Sequence, residues 1–268
     1  MDLQSLLALY DQEERINVEY PDQRREQTGT VIRHVSLHAE KAAPGGFVLY
    51  SRLTEDKVEQ AIKEQLDYFG ELGASFGWKA YDHDTPADLR DRLAAHGFAV
   101  DEAEAIMVLE LDQAPPQLLA PVTQDVHRIT DPGLVDGVVA VQDEALEGTR
   151  VDLASHLRRT LTDYPEMLSV YAIYADGRPV SSAWLRFDAR SPFASLWGGS
   201  TLAAYRKRGF YTALLAVRAQ EAIRRGARFL SIDASPMSRP IVERFGFRYI
   251  TTAYDCNWHH ADSVKRPA

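Results

Sequence analysis

Tyr205-Arg206-Lys207-Arg208-Gly209-Phe210-Tyr211-Thr212-Ala213-Leu214-Leu215 joins two segments of opposite character. Phe193 to Leu202 is rich in strand formers, with Gly198-Gly199 marking a bulge or a close backbone approach. Phe210 to Arg225 carries Phe210, Leu214, Val217 and Ile223 at helical intervals and closes on Arg224-Arg225-Gly226. A basic turn containing glycine therefore stands where a strand enters a helix. Such a turn aims backbone N–H groups outward at the positive end of the helix dipole, and glycine keeps side chains out of a ligand's way. A phosphate or pyrophosphate suits it.

The surroundings give the turn a setting. Upstream, Val126 to Thr130 reads as a strand, Leu134 to Glu147 and Leu153 to Thr162 as helices, and Leu168 to Tyr174 and Pro179 to Phe187 as strands joined by the hairpin signal Ala175-Asp176-Gly177-Arg178. Downstream come a strand (Phe229 to Asp233), the polar break Ala234-Ser235-Pro236-Met237, a short helix (Ser238 to Phe245), Gly246-Phe247 and a further strand. In that order the stretch resembles the acetyl-CoA-binding signature of the GNAT N-acetyltransferases, whose core pattern is R/QxxGxG/A. Arg206 and Gly209 match its first two fixed positions, and Tyr211 stands at the third, where the family has Gly or Ala. The resemblance covers about Val122 to Trp258. It implies an α/β (α+β) acyl-CoA N-acyltransferase fold, a mixed and mostly antiparallel sheet flanked by helices.

The resemblance also implies acetyl-CoA as co-substrate and an amine as acceptor, either a small molecule or a peptide. Arg206, Lys207, Arg208 and the N–H groups around Gly209, Phe210 and Tyr211 would hold the pyrophosphate. Ser200, Thr201 and Leu202 would offer main-chain groups to the pantetheine arm and an N–H to the thioester oxygen. Ser235 stands where the family often has an asparagine and can still hydrogen-bond; Ser238 reads better as a helix N-cap. Many members protonate the departing thiolate with a tyrosine in the short helix, but that position is Val242, so Tyr211, Tyr254, water or no acid at all would serve. For the general base the candidates are Asp233, at the end of its strand, and Glu144 or Glu147 near the junction of the first two helices. Asp233 could equally cap the following turn, and the two glutamates could be solvated helix residues.

The first half parallels the second, either as a duplication or as an unrelated strand-helix unit with a common turn. Gly73-Ala74-Ser75-Phe76, a strand to Tyr81, Pro86, a short helix and Gly97-Phe98 parallel Gly226-Ala227-Arg228-Phe229, a strand, Pro236, a short helix and Gly246-Phe247. Strands are expected at Val31 to Leu37, Phe47 to Leu53 and Glu104 to Leu111, helices at Leu3 to Tyr10, Glu55 to Leu72 and Pro86 to Ala95, and a polar turn at Tyr20 to Gln27. Where the second half has its basic turn, the first has Ser51-Arg52-Leu53-Thr54-Glu55-Asp56: no glycine, two carboxylates that would repel a pyrophosphate, and Thr54 placed to cap the helix. Tandem GNAT-like halves are expected, a degenerate domain over 1–116 and a catalytic one over 117–268, linked by the proline-rich Asp112 to Pro121.

Composition bounds the rest. Of 268 residues, 45% are hydrophobic and 26% charged, the balance of a globular protein with a core. A lone cysteine, Cys256, excludes an intrachain disulfide and a cysteine-cluster metal site, which fits a reducing cytoplasm. His156, His259 and His260 lack ligand spacing. No apolar run approaches the ~18 residues that would span a bilayer. A net charge of −9 argues against nucleic acid or an anionic membrane as partner. A monomer, with the halves packed as a pseudo-dimer, is expected. The rival from another class is a catalytically silent acyl-CoA-binding or scaffold module, prompted by Tyr211 and Val242.

Overall fold

A computed structural model describes residues 1–38, 45–146 and 153–261. Its elements run α1 (Leu3–Tyr10), β1 (Gln23–Thr28), β2 (Val31–Ser36), β3 (Gly46–Ser51), α2 (Val58–Glu71), β4 (Phe76–Tyr81), α3 (Leu89–Ala95), β5 (Ala99–Val100) and β6 (Glu104–Glu110). They continue as α4 (Pro116–Leu119), β7 (Val126–Ile129), α5 (Val135–Leu146), α6 (Leu153–Asp163), β8 (Leu168–Ala175), β9 (Arg178–Phe187), β10 (Phe193–Thr201), α7 (Phe210–Arg224), β11 (Phe229–Ala234), α8 (Arg239–Glu243) and β12 (Arg248–Trp258). Two compact units divide the chain: Met1–Ile106 with Ala234–Pro236 and the residues from Ile250 on, and Met107–Asp233 with Met237–Tyr249. The division falls ten residues before the expected 116/117 boundary, and most of β12 goes with the first unit.

In the first unit the strand order is β1-β2-β3-β4-β12, with β5 paired to β12; β3 and β4 are parallel and the other pairs antiparallel. Tyr20 to Gln27, expected as a polar turn, is largely β1. It lacks apolar alternation because it is an edge strand, held by a ladder from Gln23↔Ser36 to Thr28↔Val31, and charge on an edge is what keeps it from pairing with another chain. Val48, Val58, Ile62, Trp78 and Leu93 form the core, with Phe69 stacked on Phe76 at 4.3 Å between centroids. Helix α2 starts at Val58, not Glu55. Thr54 does not cap it through its side chain: its carbonyl accepts from the N–H of Lys57 and Val58 (3.0 and 3.1 Å), and its hydroxyl bonds the Asp56 carboxylate.

The second unit orders its strands β6-β11-β10-β9-β8-β7, antiparallel from β10 to β7 and parallel between β10 and β11. The β8–β9 hairpin turns on Asp176 and Gly177, both left-handed (φ 53° and 77°), the geometry that matches strand twist. Helices α5 and α6 bury Val135, Val138, Leu157 and Leu161 against Val170, Ala172 and Trp184. Helix α7 buries Ala213 and Leu214 with Leu202, Tyr171, Ile173 and Val180; Ile223, expected on its inner face, is exposed. The proline-rich linker is also ordered: α4 docks on α7, whose Gln220 Nε2 donates to the carbonyls of Leu118 and Ala120 at 2.9 Å. The same succession recurs in both units, β3-α2-β4-α3 and β10-α7-β11-α8, each around one parallel pair.

Candidate functional site

The parallel pair in the second unit parts early. β10 and β11 match from Phe193↔Phe229 to Leu196↔Ile232 and no further, although β10 continues to Thr201. The cause is a bulge: the register of β10 on β9 shifts between Trp197 and Ser200. Gly198 makes it possible twice over. Its φ is +59°, and a Cβ there would lie 1.9 Å from Cζ3 of Trp184. Past Leu196, β10 therefore turns an unpaired edge toward the place where Asp233, the first β11 residue beyond the last pair, stands.

Side chains from both covering helices hold the bulge. From α5, buried Gln142 donates through Nε2 to the carbonyl of Gly198 and to Ser182 Oγ (3.0 Å), and its Oε1 accepts from Ser200 Oγ (3.0 Å). From α7, Arg218 donates through Nη1 to the carbonyls of Trp184 (3.2 Å) and Trp197 (3.4 Å), and through Nε to that of Leu214 (2.9 Å). Arg218 is only 1% exposed. Burial pushes its guanidinium down to about 10, which leaves it charged at neutral pH. Its Nη2 has no hydrogen-bond partner among the described residues. The Tyr211 ring lies beside it, Cε2 3.1 Å from where a Gly199 Cβ would be; burial raises the phenol and the Arg218 charge offsets part of the rise.

The basic turn sits at the far end of β10. Lys207 and Gly209 are both left-handed (φ 63° and 81°), and Gly209 occupies the N-cap of α7 with no side chain capping it. The first-turn N–H groups of an uncapped helix face outward and favour an anion. Arg206 Nε bonds the Thr201 carbonyl (3.2 Å), and Arg208 Nη2 bonds that of Ala204 (3.2 Å) while lying over the Tyr205 ring. Both arginines brace the turn, and with Lys207 they keep it basic and exposed.

The structure thus gathers Ser200, Thr201, Arg206 to Tyr211 and Asp233 around one strand-turn-helix. Leu202 drops out: its N–H donates to Val180 (3.0 Å) and its carbonyl accepts from Tyr205 (2.8 Å), so neither main-chain group is open. Ser235 clusters with the first unit. Val242 is fully buried, and Tyr254 lies in the first unit under Arg90 (4.5 Å from its ring centroid). Glu144 is exposed and paired with Arg178 at 2.9 Å; Glu147 lies outside the described residues. Cys256 is buried with its thiol pushed up to about 12, first by burial and then by Asp255 and Asp101, which makes it inert. Gln142 and Arg218 escaped the sequence reading. Their signal was a polar residue inside an apolar stripe, VVAVQ and LLAVR.

The first unit has a corresponding opening and fills it. β3 and β4 pair only from Gly46↔Phe76 to Val48↔Trp78. Arg15, fully buried, donates through Nε to the carbonyl of Leu49, the next β3 residue, and through Nη2 to both Asp84 oxygens (2.7 and 3.0 Å), with its guanidinium 3.7 Å from the Tyr81 ring centroid.

Among solved structures, a GCN5-related N-acetyltransferase from Kribbella flavida matches 96% of this chain over 96% of its own, at TM-score 0.67 and 17% identity. A tandem GNAT protein from the clavulanic acid biosynthesis pathway matches 99% of this chain over 95% of its own (TM-score 0.59, 12% identity). A GCN5-related N-acetyltransferase from Sphaerobacter thermophilus matches 95% over 84% (TM-score 0.54, 15% identity). No family model matches the sequence, and no curated protein matches it significantly. The chain has the fold of the GNAT acetyltransferases, in a length that the tandem GNAT protein shares.

Proposed function

We propose that the second unit is an acetyl-CoA-dependent N-acetyltransferase acting on a primary amine. The observation that carries this reading is the parting of β10 from β11 at the Gly198 bulge, joined through the exposed basic turn to the uncapped N-terminus of α7. A long, flexible thioester needs both ends: N–H groups and positive charge for its pyrophosphate, and an open strand edge for its amide-bearing arm. Tyr211, bulky where the signature has a small residue, suits this because its ring packs toward Gly199 and Arg218 on the inner side of α7.

An acetyl thioester supplies an electrophilic carbonyl; the chain's residues do the rest. N–H groups on the open edge of β10, beyond the bulge, donate to the carbonyl oxygen as charge builds on it. Asp233, at the mouth of the opening, takes the ammonium proton directly or through water so that the amine can attack. Tyr211, its phenol raised and so protonated at neutral pH, donates to the departing thiolate. The first unit is structural in this reading, because its own Arg15 occupies the corresponding opening. The acceptor is a small molecule or a peptide, the protein works as a monomer in the cytoplasm, and no helix among the described residues is long and apolar enough to cross a membrane.

Release of free thiol from acetyl-CoA, followed across a panel of primary amines, tests the reaction. Asp233→Asn should lower kcat by about 10²-fold or more with the best acceptor, the usual worth of a positioned base. An unchanged kcat would remove Asp233 from the mechanism. The rival, a silent module that binds the thioester without turning it over, is favoured by Val242, which leaves the family's acid position in the core. Binding without turnover over the whole amine panel would establish it.

A further inference from the structure

Arg218 is a buried cation with a surplus. A guanidinium has donors on three nitrogens, and a buried charge is ordinarily matched by a carboxylate. The bulge explains one of the nitrogens, Nη1, which holds the carbonyls of Trp184 and Trp197 at the register shift, and Nε bonds the Leu214 carbonyl one turn back on its own helix. Among the described residues, no carboxylate acts on the charge; burial, Tyr211 and Tyr171 do. Glu221, three residues on, is committed elsewhere: its oxygens accept from Ser169 Oγ (2.8 Å) and Tyr171 Oη (2.6 Å), with Arg128 and Arg225 at 3.4 and 3.7 Å. Among the described residues, nothing bonds Nη2.

The direction of Nη2 is informative. It lies 3.7 Å from the point that a Gly199 Cβ would occupy. Gly199 is exposed, and its φ lies outside the left-handed region that favours glycine, so glycine here keeps space rather than conformation. The same missing Cβ would press on the Tyr211 ring at 3.1 Å. One glycine layer therefore separates solvent at the bulge from an unanswered positive charge, at the strand position where the proposed function puts the acyl group. Three carbonyl dipoles alone would be served as well by a smaller or neutral donor, and would not require a permanent charge whose burial carries a penalty.

We propose that Arg218 Nη2 receives a carboxylate presented at the Gly199 bulge, so that the same site takes, beside acetyl-CoA and more tightly, a dicarboxylic acyl thioester such as malonyl- or succinyl-CoA. This rests on the acyl-CoA reading above. The carboxylate could also arrive on the acceptor, as in an amino acid, and the two sources separate in the test.

Isothermal calorimetry on the full chain compares acetyl-CoA, malonyl-CoA and succinyl-CoA. One of the two dicarboxylic thioesters should bind at least about tenfold tighter than acetyl-CoA, the scale of one hydrogen bond to a charged group. Arg218→Met should erase that preference, and Gly199→Ala, which leaves the guanidinium in place, should weaken it. Should Arg218→Met fail to fold, Gly199→Ala and the wild-type comparison decide alone. If the three thioesters bind alike but turnover prefers amino acids over their methyl esters, and Arg218→Met removes that preference through KM, the carboxylate belongs to the acceptor. Acetyl-CoA binding as tightly as both others, with no preference among acceptors, overturns the proposal and leaves the acyltransferase reading standing. No binding by any thioester overturns both.

Discussion

Single residues set the geometry of the opening, and Gly198 bears the most. Any side chain there meets the Trp184 ring and a left-handed backbone together. Gly198→Ala should destabilise the second unit by about 3 kcal/mol, combining overpacking with backbone strain. Urea denaturation monitored by tryptophan fluorescence measures it, and a cost near zero would mean that the bulge is soft. Asp11 makes a different kind of statement. Burial alone would raise its carboxyl, but hydrogen bonds and charge from His83 and Arg15 hold it below its ordinary 3.8. A folded value below the unfolded one contributes stability that is complete above about pH 4 and is lost as pH falls through the depressed value. Asp11→Asn should therefore flatten the loss of stability between about pH 4 and pH 2, read from urea midpoints across that range. An acid limb as steep as that of the parent would place the titrating group elsewhere.

At the scale of elements, the reach of the sequence depends on what each element is made of. Strands β8, β9 and β10 and helices α5 to α7 were legible because they are two-sided: apolar spacing and turn residues such as Asp176-Gly177 announce them. Strand β1 was not, since QRREQT has no apolar face and exists by pairing with β2. The start of α2 was misplaced by three residues because Thr54 spends its hydroxyl on Asp56, a choice that local propensity does not encode. The same limit applies to the site. Its backbone part, the turn at Arg206 to Gly209 and the bulge at Gly198-Gly199, could be read from glycine and charge. Gln142 and Arg218 could not be assigned, because their partners are carbonyls on β9 and β10 that only the bulge releases.

At the scale of the molecule, the boundary between units does not follow the order of the chain. Strand β12 comes last, yet its residues Ala253 to Trp258 pair with β4 from Tyr81 to Phe76 and bring Cys256 into the first unit's core. Truncation after Tyr249 should therefore leave β4 with an unpaired apolar edge, and the protein should become insoluble or lose cooperative unfolding, as read by circular dichroism. A soluble, cooperatively folded fragment would show that the first unit does not need β12. The central claim, that the α7 turn of the second unit holds an acyl-CoA, rests most directly on Gly209, uncapped and left-handed at the helix N-terminus. Calorimetric titration of the full chain with acetyl-CoA beside a Gly209→Glu variant tests it: saturable binding by the parent that the variant loses is the expected result, whereas no heat from the parent, or equal binding by both, contradicts it.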